Sequence, residues 1–245
     1  MQIIVTENYE RSCEIAAKMI ADVVRAKPDA RLGLATGGTA GAVYANLIKE
    51  YREGRLDFSK VSTINLDEYI GLPPEHPQSY RYYMDHNLFN HVNIDKQNTY
   101  VVSGMGDIEQ NVADFRRKVQ EEPVDIQLLG IGANGHIAFN EPDSVLKEKA
   151  HVVELTESTV KANSRFFDSI DEVPRKAITM GIREIMSAKS LVLVATGKEK
   201  AQAVRGLIMG DVIDSRNPST VIKLHHNATV IIDNALYELV ASQKD

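Results

Sequence analysis

Residues 124–142, Val-Asp-Ile-Gln-Leu-Leu-Gly-Ile-Gly-Ala-Asn-Gly-His-Ile-Ala-Phe-Asn-Glu-Pro, decide the fold class of this chain. The mostly apolar run Val124–Gly130 predicts a buried strand, and a glycine-rich turn follows it. The turn presents Asn134, His136 and Glu141. Ligands bind at the carboxyl ends of strands in open α/β sheets, and histidine transfers protons near neutral pH. The stretch therefore predicts an acid–base relay. One histidine and one glutamate make a weak zinc pattern, so no metal is expected.

Short apolar runs alternate with helical patterns along the rest of the chain. This alternation predicts an α/β fold with an open, mostly parallel sheet and helices on both faces. The further predicted strands are Gln2–Val5, Arg31–Ala35, Val61–Asn65, Leu191–Ala195 and Ala228–Ile232. The predicted helices are Tyr9–Arg25, Thr39–Glu53, Tyr80–Leu88, Ile108–Glu121, Lys198–Met209 and Ala235–Ser242.

The domain organisation is predicted to be simple. No internal repeat, low-complexity tract or linker-like stretch interrupts the chain, so residues 1–245 are expected to form a single α/β domain. Two segments, 71–91 and 140–174, are less regular than the rest. Insertions of this kind often form pocket walls or lids, and that is the role expected of both.

Composition excludes several classes of protein. The 245 residues contain 28 Lys and Arg against 34 Asp and Glu, and the net charge of −6 argues against nucleic acid or an anionic membrane as partner. The only cysteine, Cys13, excludes an internal disulfide and is expected to be a buried structural thiol in a reducing cytosol. The N-terminus lacks a secretory pattern, and no apolar run approaches ~20 residues. A cytoplasmic protein is expected.

The sequence Ala-Thr-Gly-Gly-Thr at 35–39 joins a predicted strand to a predicted helix. Glycines at Gly37 and Gly38 let backbone N–H groups approach an anion, and a helix N-terminus favours negative charge. Thr39 can cap the helix and donate its hydroxyl. The pattern is neither a P-loop nor a dinucleotide fingerprint. Phosphate binding and an ordinary capped turn both remain open at this point.

The adjacent carboxylates Asp67 and Glu68 follow another predicted strand. At a strand end such a pair can supply a general base, although a solvated acidic turn has the same sequence. Two cations lie on later segments. Arg165 follows Ala-Asn-Ser, and Lys200 opens the helix predicted after the strand Leu191–Ala195, where a phosphate would be favoured. A single Lys or Arg is more often a solvated surface charge, so neither residue alone predicts a phosphate site.

Together these motifs resemble the glucosamine-6-phosphate deaminase family. The matches are Ala-Thr-Gly-Gly-Thr at 35–39, Leu-Asp-Glu-Tyr at 66–69, Gly-Leu-Pro-x-Glu-His-Pro-x-Ser-Tyr at 71–80, Gly-x-Asn-Gly-His-Ile-Ala-Phe-Asn-Glu-Pro at 132–142 and Ala-Asn-Ser-Arg-Phe-Phe at 162–167. The resemblance implies a Rossmann-like sheet of the sugar-phosphate isomerase type. It also implies amino-sugar catabolism, in which D-glucosamine 6-phosphate and water give D-fructose 6-phosphate and ammonium. No metal, nicotinamide or pyridoxal phosphate cofactor is expected.

The resemblance also implies residue roles. Asp67 would be the base that moves a proton from C2 to C1, and His136 would open the sugar ring with Glu141 and Asn134 as partners. The expected phosphate ligands are Gly37, Gly38, Thr39, Arg165 and Lys200, and the further substrate contacts are Thr36, Glu68, Gly132 and Ala133.

Two departures from longer family members affect these expectations. Those members carry Asp where this chain has Asn134, and an amide can orient His136 but cannot stabilise an imidazolium as a carboxylate does. The chain also ends without their C-terminal extension, and His151 and Val153 stand where they carry basic effector contacts. Activation by N-acetylglucosamine 6-phosphate is therefore not expected, and the expected assembly is a monomer or small homo-oligomer.

Two other functions are compatible with the same motifs. A 6-phosphogluconolactonase-like hydrolase would share the sheet and the phosphate loop but would not need a base such as Asp67. A non-catalytic sugar-phosphate sensor would need a basic helix-turn-helix module, and the sequence provides no segment for one. Release of ammonium from glucosamine 6-phosphate distinguishes the deaminase from both.

Overall fold

The computed structural model describes residues 1–242 and contains two sheets. The large sheet has seven parallel strands: β1 (Gln2–Thr6), β2 (Arg31–Leu34), β3 (Ser62–Asn65), β5 (Thr99–Tyr100), β6 (Ile126–Leu129), β9 (Leu191–Ala195) and β10 (Ala228–Asp233). Their order across the sheet is β1-β10-β9-β6-β2-β3-β5. A small antiparallel sheet contains β4 (Asp67–Tyr69), β8 (Lys176–Thr179) and β7 (His151–Glu154), with β8 in the middle.

The large sheet confirms the predicted parallel architecture. Strands β6, β9 and β10 are buried along their whole length, which requires cover on both faces of the sheet. The helices are α1 (Tyr9–Ala26), α2 (Gly38–Arg52), α3 (Tyr80–Asn87), α4 (Ile108–Glu121), α5 (Glu157–Asn163), α6 (Ile182–Met186), α7 (Ala201–Ile208) and α8 (Asn234–Ser242). None of the described helices is long and apolar enough to cross a membrane.

The strand order places a crevice at one point of the large sheet. From β2 the chain moves outward to β3 and β5, and then returns to the other side of β2 to add β6, β9 and β10. Such a reversal is the point at which open α/β sheets bind ligands, beyond the carboxyl ends of the strands. The loops after β2 and β6 are the two predicted glycine-rich loops, so the fold brings them together.

The amino-terminal end of the large sheet is held by a buried carboxylate. Asp125, just before β6, accepts hydrogen bonds from Lys27 Nζ (2.9 Å), Lys189 Nζ (2.7 Å) and the backbone N–H of Arg31 (2.8 Å). Although burial acts to raise it, these donors lower the pKa of Asp125. The contacts join three segments that are distant in sequence.

Several local predictions need correction. The strands β4, β5, β7 and β8 and the helices α5 and α6 were not predicted, because each is short and mixes polar with apolar residues. The predicted helix Lys198–Met209 begins with a 3₁₀ turn, Lys198–Lys200, before α7. Cys13 is buried, as expected.

Candidate active site

A cavity of about 1250 Å³ lies at the crevice between the loops after β2 and β6. It brings together eleven of the thirteen predicted site residues, and the two that do not line it are Glu68 and Glu141. The segments 71–91 and 140–174 also contribute lining residues. The eleven lining residues are Thr36, Gly37, Gly38, Thr39, Asp67, Gly132, Ala133, Asn134, His136, Arg165 and Lys200.

The loop after β2 is held by three tyrosine hydroxyls. Tyr44 donates to the carbonyl of Ala35 (2.5 Å), Tyr83 to that of Gly37 (2.7 Å) and Tyr9 to that of Gly38 (3.2 Å). The three hydrogen bonds attach the carbonyls of this loop to α1, α2 and α3, and residues 35–38 are therefore called the tyrosine-held loop. A loop fixed in this way can direct N–H groups to an anion without further ordering.

Thr39 does not cap α2. The capping position is Gly37, which has φ of +108° and no side-chain hydrogen bond, and Thr39 lies in the first helical turn. Glycine fits there because a positive φ strains other residues. The first N–H groups of α2 therefore have no side-chain cap, and Gly38 and Thr39, which carry two of them, line the cavity.

Arg165 and Lys200 approach the cavity from different elements. Arg165 is exposed on a 3₁₀ turn that follows α5, and Lys200 lies immediately before α7. Burial lowers the pKa of Lys200, Glu199 opposes this shift, and the positive charge of Arg165 adds to it. The two predicted cations are therefore close enough to interact, as a shared anion site requires.

Asp67 is a buried carboxylate on the first residue of β4. Its side chain is 6% exposed and lines the cavity, and no hydrogen bond to its carboxylate occurs within residues 1–242. Burial, with a smaller contribution from the charge of Glu68, raises the pKa of Asp67 to about 8. A carboxylate with a raised pKa is a stronger base than an exposed one when it is ionised.

Glu68 has a different environment from its neighbour. Its carboxylate accepts N–H hydrogen bonds from Tyr69 (2.8 Å), Tyr80 (2.9 Å) and Arg81 (3.0 Å). It therefore holds the first turn of α3 against β4. Burial still raises its pKa to about 7, because the three donors only partly offset desolvation. In this structure Glu68 contacts the backbone of the pocket wall rather than the cavity.

The loop after β6 joins three polar side chains. Glu141 Oε2 lies 2.8 Å from Asn134 Nδ2 and 3.3 Å from His136 Nδ1, and the backbone N–H of His136 donates to Asn134 Oδ1 (3.2 Å). Burial acts to raise the pKa of Glu141, but contacts with His136, Thr159 and Asn134 lower it. Glu141 thus lies behind His136, and the imidazole faces the cavity.

Gly132 makes room for the imidazole. A Cβ at this position would lie 2.5 Å from the His136 ring, so a side chain there would displace it. The turn that follows contains Ala138 at φ of +52° and is joined to the small sheet, where Thr179 Oγ1 accepts from the backbone N–H of Phe139 (3.0 Å). Because Thr179 pairs with Asp67 across the β4–β8 ladder, β8 supports both Asp67 and the loop that follows β6.

Other residues of the cavity were not predicted as site residues. Tyr9, Tyr83 and Thr159 line it. Nothing in the local sequence signals Thr159, because its contact with Glu141 joins segments 18 positions apart. Over residues 1–242, no group of three or more His, Cys, Asp or Glu side chains is arranged to hold a metal ion.

Comparison with known proteins identifies similar chains. A glucosamine-6-phosphate deaminase of Thermoanaerobacter sp. strain X514 is 49% identical in an alignment 245 positions long, which covers 99% of this chain and 96% of the relative. A solved monomeric glucosamine-6-phosphate deaminase has a TM-score of 0.95 at 43% identity, covering 98% of this chain and all of that one. A 6-phosphogluconolactonase from Leishmania guyanensis shares the fold, with a TM-score of 0.76 at 20% identity over 97% of both chains.

The fold and its crevice therefore place the chain among α/β proteins of the sugar-phosphate isomerase and deaminase type. A family profile gives the narrower identification, since it matches residues 6–231. The chain belongs to the family of glucosamine-6-phosphate isomerases and 6-phosphogluconolactonases.

Proposed function

We propose that this chain converts D-glucosamine 6-phosphate and water into D-fructose 6-phosphate and ammonium, as a cytoplasmic step of amino-sugar catabolism. The observation that carries the proposal is that an anion-binding loop, two cations, a buried base and a histidine–glutamate pair line or adjoin one cavity. The similarity to deaminases at 49% identity over nearly the whole chain supports the same substrate.

The phosphate group is proposed to bind at the start of α2. Backbone N–H groups of Gly38 and Thr39 and the charges of Arg165 and Lys200 would hold it there, with Gly37 shaping the turn. Thr36, Gly132 and Ala133 line the cavity beside these groups and are proposed to contact the sugar. Anchoring a distant phosphate converts binding energy into orientation at the reacting carbons.

His136 is proposed to open the pyranose ring. An ionised Glu141 only accepts hydrogen bonds, so it selects the tautomer in which His136 Nδ1 carries the hydrogen and Nε2 is free to accept. Nε2 would take the proton of the C1 hydroxyl and return it to the ring oxygen as the C1–O5 bond breaks. Asn134 holds Glu141 and the backbone of His136 in this arrangement.

Asp67 is proposed to act on the open-chain aldehyde. Its carboxylate would remove the C2 proton while a proton moves from the substrate's ammonium group to O1, giving an enolamine, and it would then return the C2 proton to C1, giving a C2 imine. Water then adds to C2, and ammonia leaves and is protonated to ammonium. The cationic amino group of the substrate would favour the ionised form of Asp67 on binding. Glu68 is proposed to support this base by holding the wall formed by α3.

The test of the function is stoichiometric. Purified protein with glucosamine 6-phosphate should release one ammonium for each fructose 6-phosphate formed, with 6-phosphogluconolactone assayed in parallel. Lactone hydrolysis without ammonium release would instead support the hydrolase. Binding of the sugar phosphate without turnover of either compound would support the sensor.

The ring-opening role has its own test. His136→Gln should lose at least roughly a hundredfold in turnover of the cyclic substrate, because a positioned general acid–base group is removed. The variant should recover part of this loss on an analogue locked in the open-chain form. An equal loss on both compounds would show that His136 acts mainly after ring opening.

A further inference from the structure

Thr159 contacts the carboxylate of the histidine–glutamate pair from a different segment of the chain. It lies on α5 and is 4% exposed, and its hydroxyl donates to Glu141 Oε1 at 2.6 Å. The other oxygen, Oε2, is the one shared by Asn134 and His136. The two oxygens of Glu141 therefore have different partners. Within the described residues, the Thr159 hydroxyl is the hydrogen-bond donor to Oε1, and Asn134 and His136 contact Oε2.

The direction of these hydrogen bonds is fixed by chemistry. Thr156 Oγ1 donates to Thr159 Oγ1 (3.2 Å), and Thr159 donates onward to the carboxylate. A hydroxyl that accepts one hydrogen bond while donating another is a better donor than an isolated one. Two neutral side chains, Thr159 and Asn134, thus hold Glu141 from both sides and leave His136 as its titratable partner.

The same segment also carries a proposed phosphate ligand. Helix α5 ends at Asn163 and continues into the 3₁₀ turn Ser164–Phe166, which contains Arg165. Asn163 Nδ2 donates to the hydroxyl of Tyr69 (2.7 Å), which fastens this end of α5 to the small sheet. One short segment therefore contacts the partner of His136 and supplies a cation to the cavity.

We infer that Thr159 is a positioning residue, which holds Glu141 in the orientation that keeps the imidazole of His136 in its proton-transferring tautomer. The inference rests on the proposed function for its kinetic consequence, and the geometry of Glu141 can be tested without it. Loss of the hydroxyl leaves Glu141 Oε1 buried without its donor, and the carboxylate becomes free to rotate away from Nδ1.

The consequence for pH dependence has a definite sign. A donated hydrogen bond favours the charged form of a carboxylate, so removing the Thr159 hydroxyl raises the pKa of Glu141. The groups that face Glu141 are His136, which can carry charge, and Asn134 and Thr159, which cannot. In Thr159→Val the acidic limb of the kcat/KM profile should therefore move to higher pH.

The experiment compares Thr159→Val, Thr159→Ser and the wild type over pH 4 to 9. Thr159→Val should lower kcat about tenfold and move the acidic limb upward by roughly one to two pH units, as expected for one lost hydrogen bond to a charged group. Thr159→Ser keeps the hydroxyl and should restore both. Thr6→Val is the matched control, since Thr6 is also buried and hydrogen bonded but does not line the cavity.

A second measurement separates this inference from the proposed function. The side-chain carboxyl of Glu141, followed by ¹³C NMR, should titrate at higher pH in Thr159→Val than in the wild type, whether or not the protein releases ammonium. If Thr159→Val does not fold, Thr159→Ala carries the same expectation. Unchanged titration of Glu141, or a serine variant as impaired as valine, would overturn the positioning role.

Discussion

Two aspartates with nearly equal burial lie at opposite ends of the large sheet and have opposite surroundings. Asp125 is 5% exposed and receives three hydrogen bonds, two of them from lysines, and its pKa is lowered. Asp67 is 6% exposed, has no hydrogen bond to its carboxylate within the described chain, and its pKa is raised to about 8. Equal exposure therefore does not give equal pKa shifts, because hydrogen-bond donors outweigh the effect of burial at Asp125 and none does so at Asp67.

The two ends of the large sheet therefore differ in how a buried carboxylate is surrounded. At the amino-terminal end, the charge of Asp125 is matched by partners that join β2, β6 and the segment before β9. At the carboxyl-terminal end, the carboxylate of Asp67 has no such partner within the described residues, and in the proposed mechanism the amino group of the substrate would supply the cation. An unmatched buried carboxylate destabilises the folded state when it is ionised, but it can gain its partner during the reaction.

The largest expected effect is on turnover at Asp67. Asp67→Asn keeps the shape of the side chain but removes the base, so kcat should fall by roughly a thousandfold or more with the fold intact. The measurement is ammonium release, with circular dichroism as the check on folding. Near-normal turnover would show that Asp67 is not the base, and the two aspartates would then not differ in their effect on catalysis.

Asp125→Asn should lower the stability of the fold and leave turnover unchanged. The variant should lose roughly 1–3 kcal/mol of unfolding free energy, a value kept low because Lys27 and Lys189 are partly exposed. The folded fraction should keep its kcat, since Asp125 does not line the cavity. Urea midpoints and kcat measured on the same preparation check both parts. An Asp125 variant with full stability would show that the hydrogen bonds to this carboxylate do not stabilise the large sheet.

The pH dependence of stability should differ in sign between the two sites. Because the folded pKa of Asp67 is raised, the wild type should lose stability relative to Asp67→Asn as pH rises from about 4 to about 8. Because the folded pKa of Asp125 is lowered, its contribution should be present above about pH 4 and lost as pH falls further. Melting temperatures of the three proteins between pH 3 and 9 measure both trends, and parallel curves would refute them.

The smallest expected effect concerns the tyrosine-held loop at the reactive end. Tyr83→Phe removes the hydroxyl that holds the carbonyl of Gly37, and KM should rise about threefold to tenfold with kcat little changed. Inhibition by inorganic phosphate should weaken by the same factor. Tyr82→Phe on the same helix is the control, because Tyr82 does not line the cavity. Equal effects in both variants would assign the change to α3 packing.

Much of this fold was predictable from local patterns. All six predicted strands occur in the large sheet, because continuous apolar runs such as Leu191–Ala195 are typical of parallel strands buried on both faces. The small sheet was not predictable in the same way. Its strand β4 is Asp-Glu-Tyr, and these residues are buried only because β8 and the aromatic side chains around Tyr69 cover them.

The part of the candidate site that lies on a single loop was predictable from the sequence. Residues 132–141 carry both His136 and Glu141, so the proximity of the two side chains could be expected from one short loop. The environment of Glu68 could not be predicted, because its three N–H donors depend on where α3 begins relative to β4. Thr159 was missed for the same physical reason, since its partner is set by tertiary packing rather than by spacing.

Strand β8 connects two parts of the candidate site, and this has a consequence for local unfolding of the protein. Its Thr179 pairs with Asp67 and accepts from the N–H of Phe139, and the next residue, Met180, donates its N–H to Leu66 and accepts from the side chain of Asn140. Breaking β8 would release Asp67 and the loop that carries His136 together. The backbone amides of Phe139 and Met180 should therefore exchange with deuterium at matched rates, as one cooperative unit in which Asp67 and His136 are either both in place or both displaced.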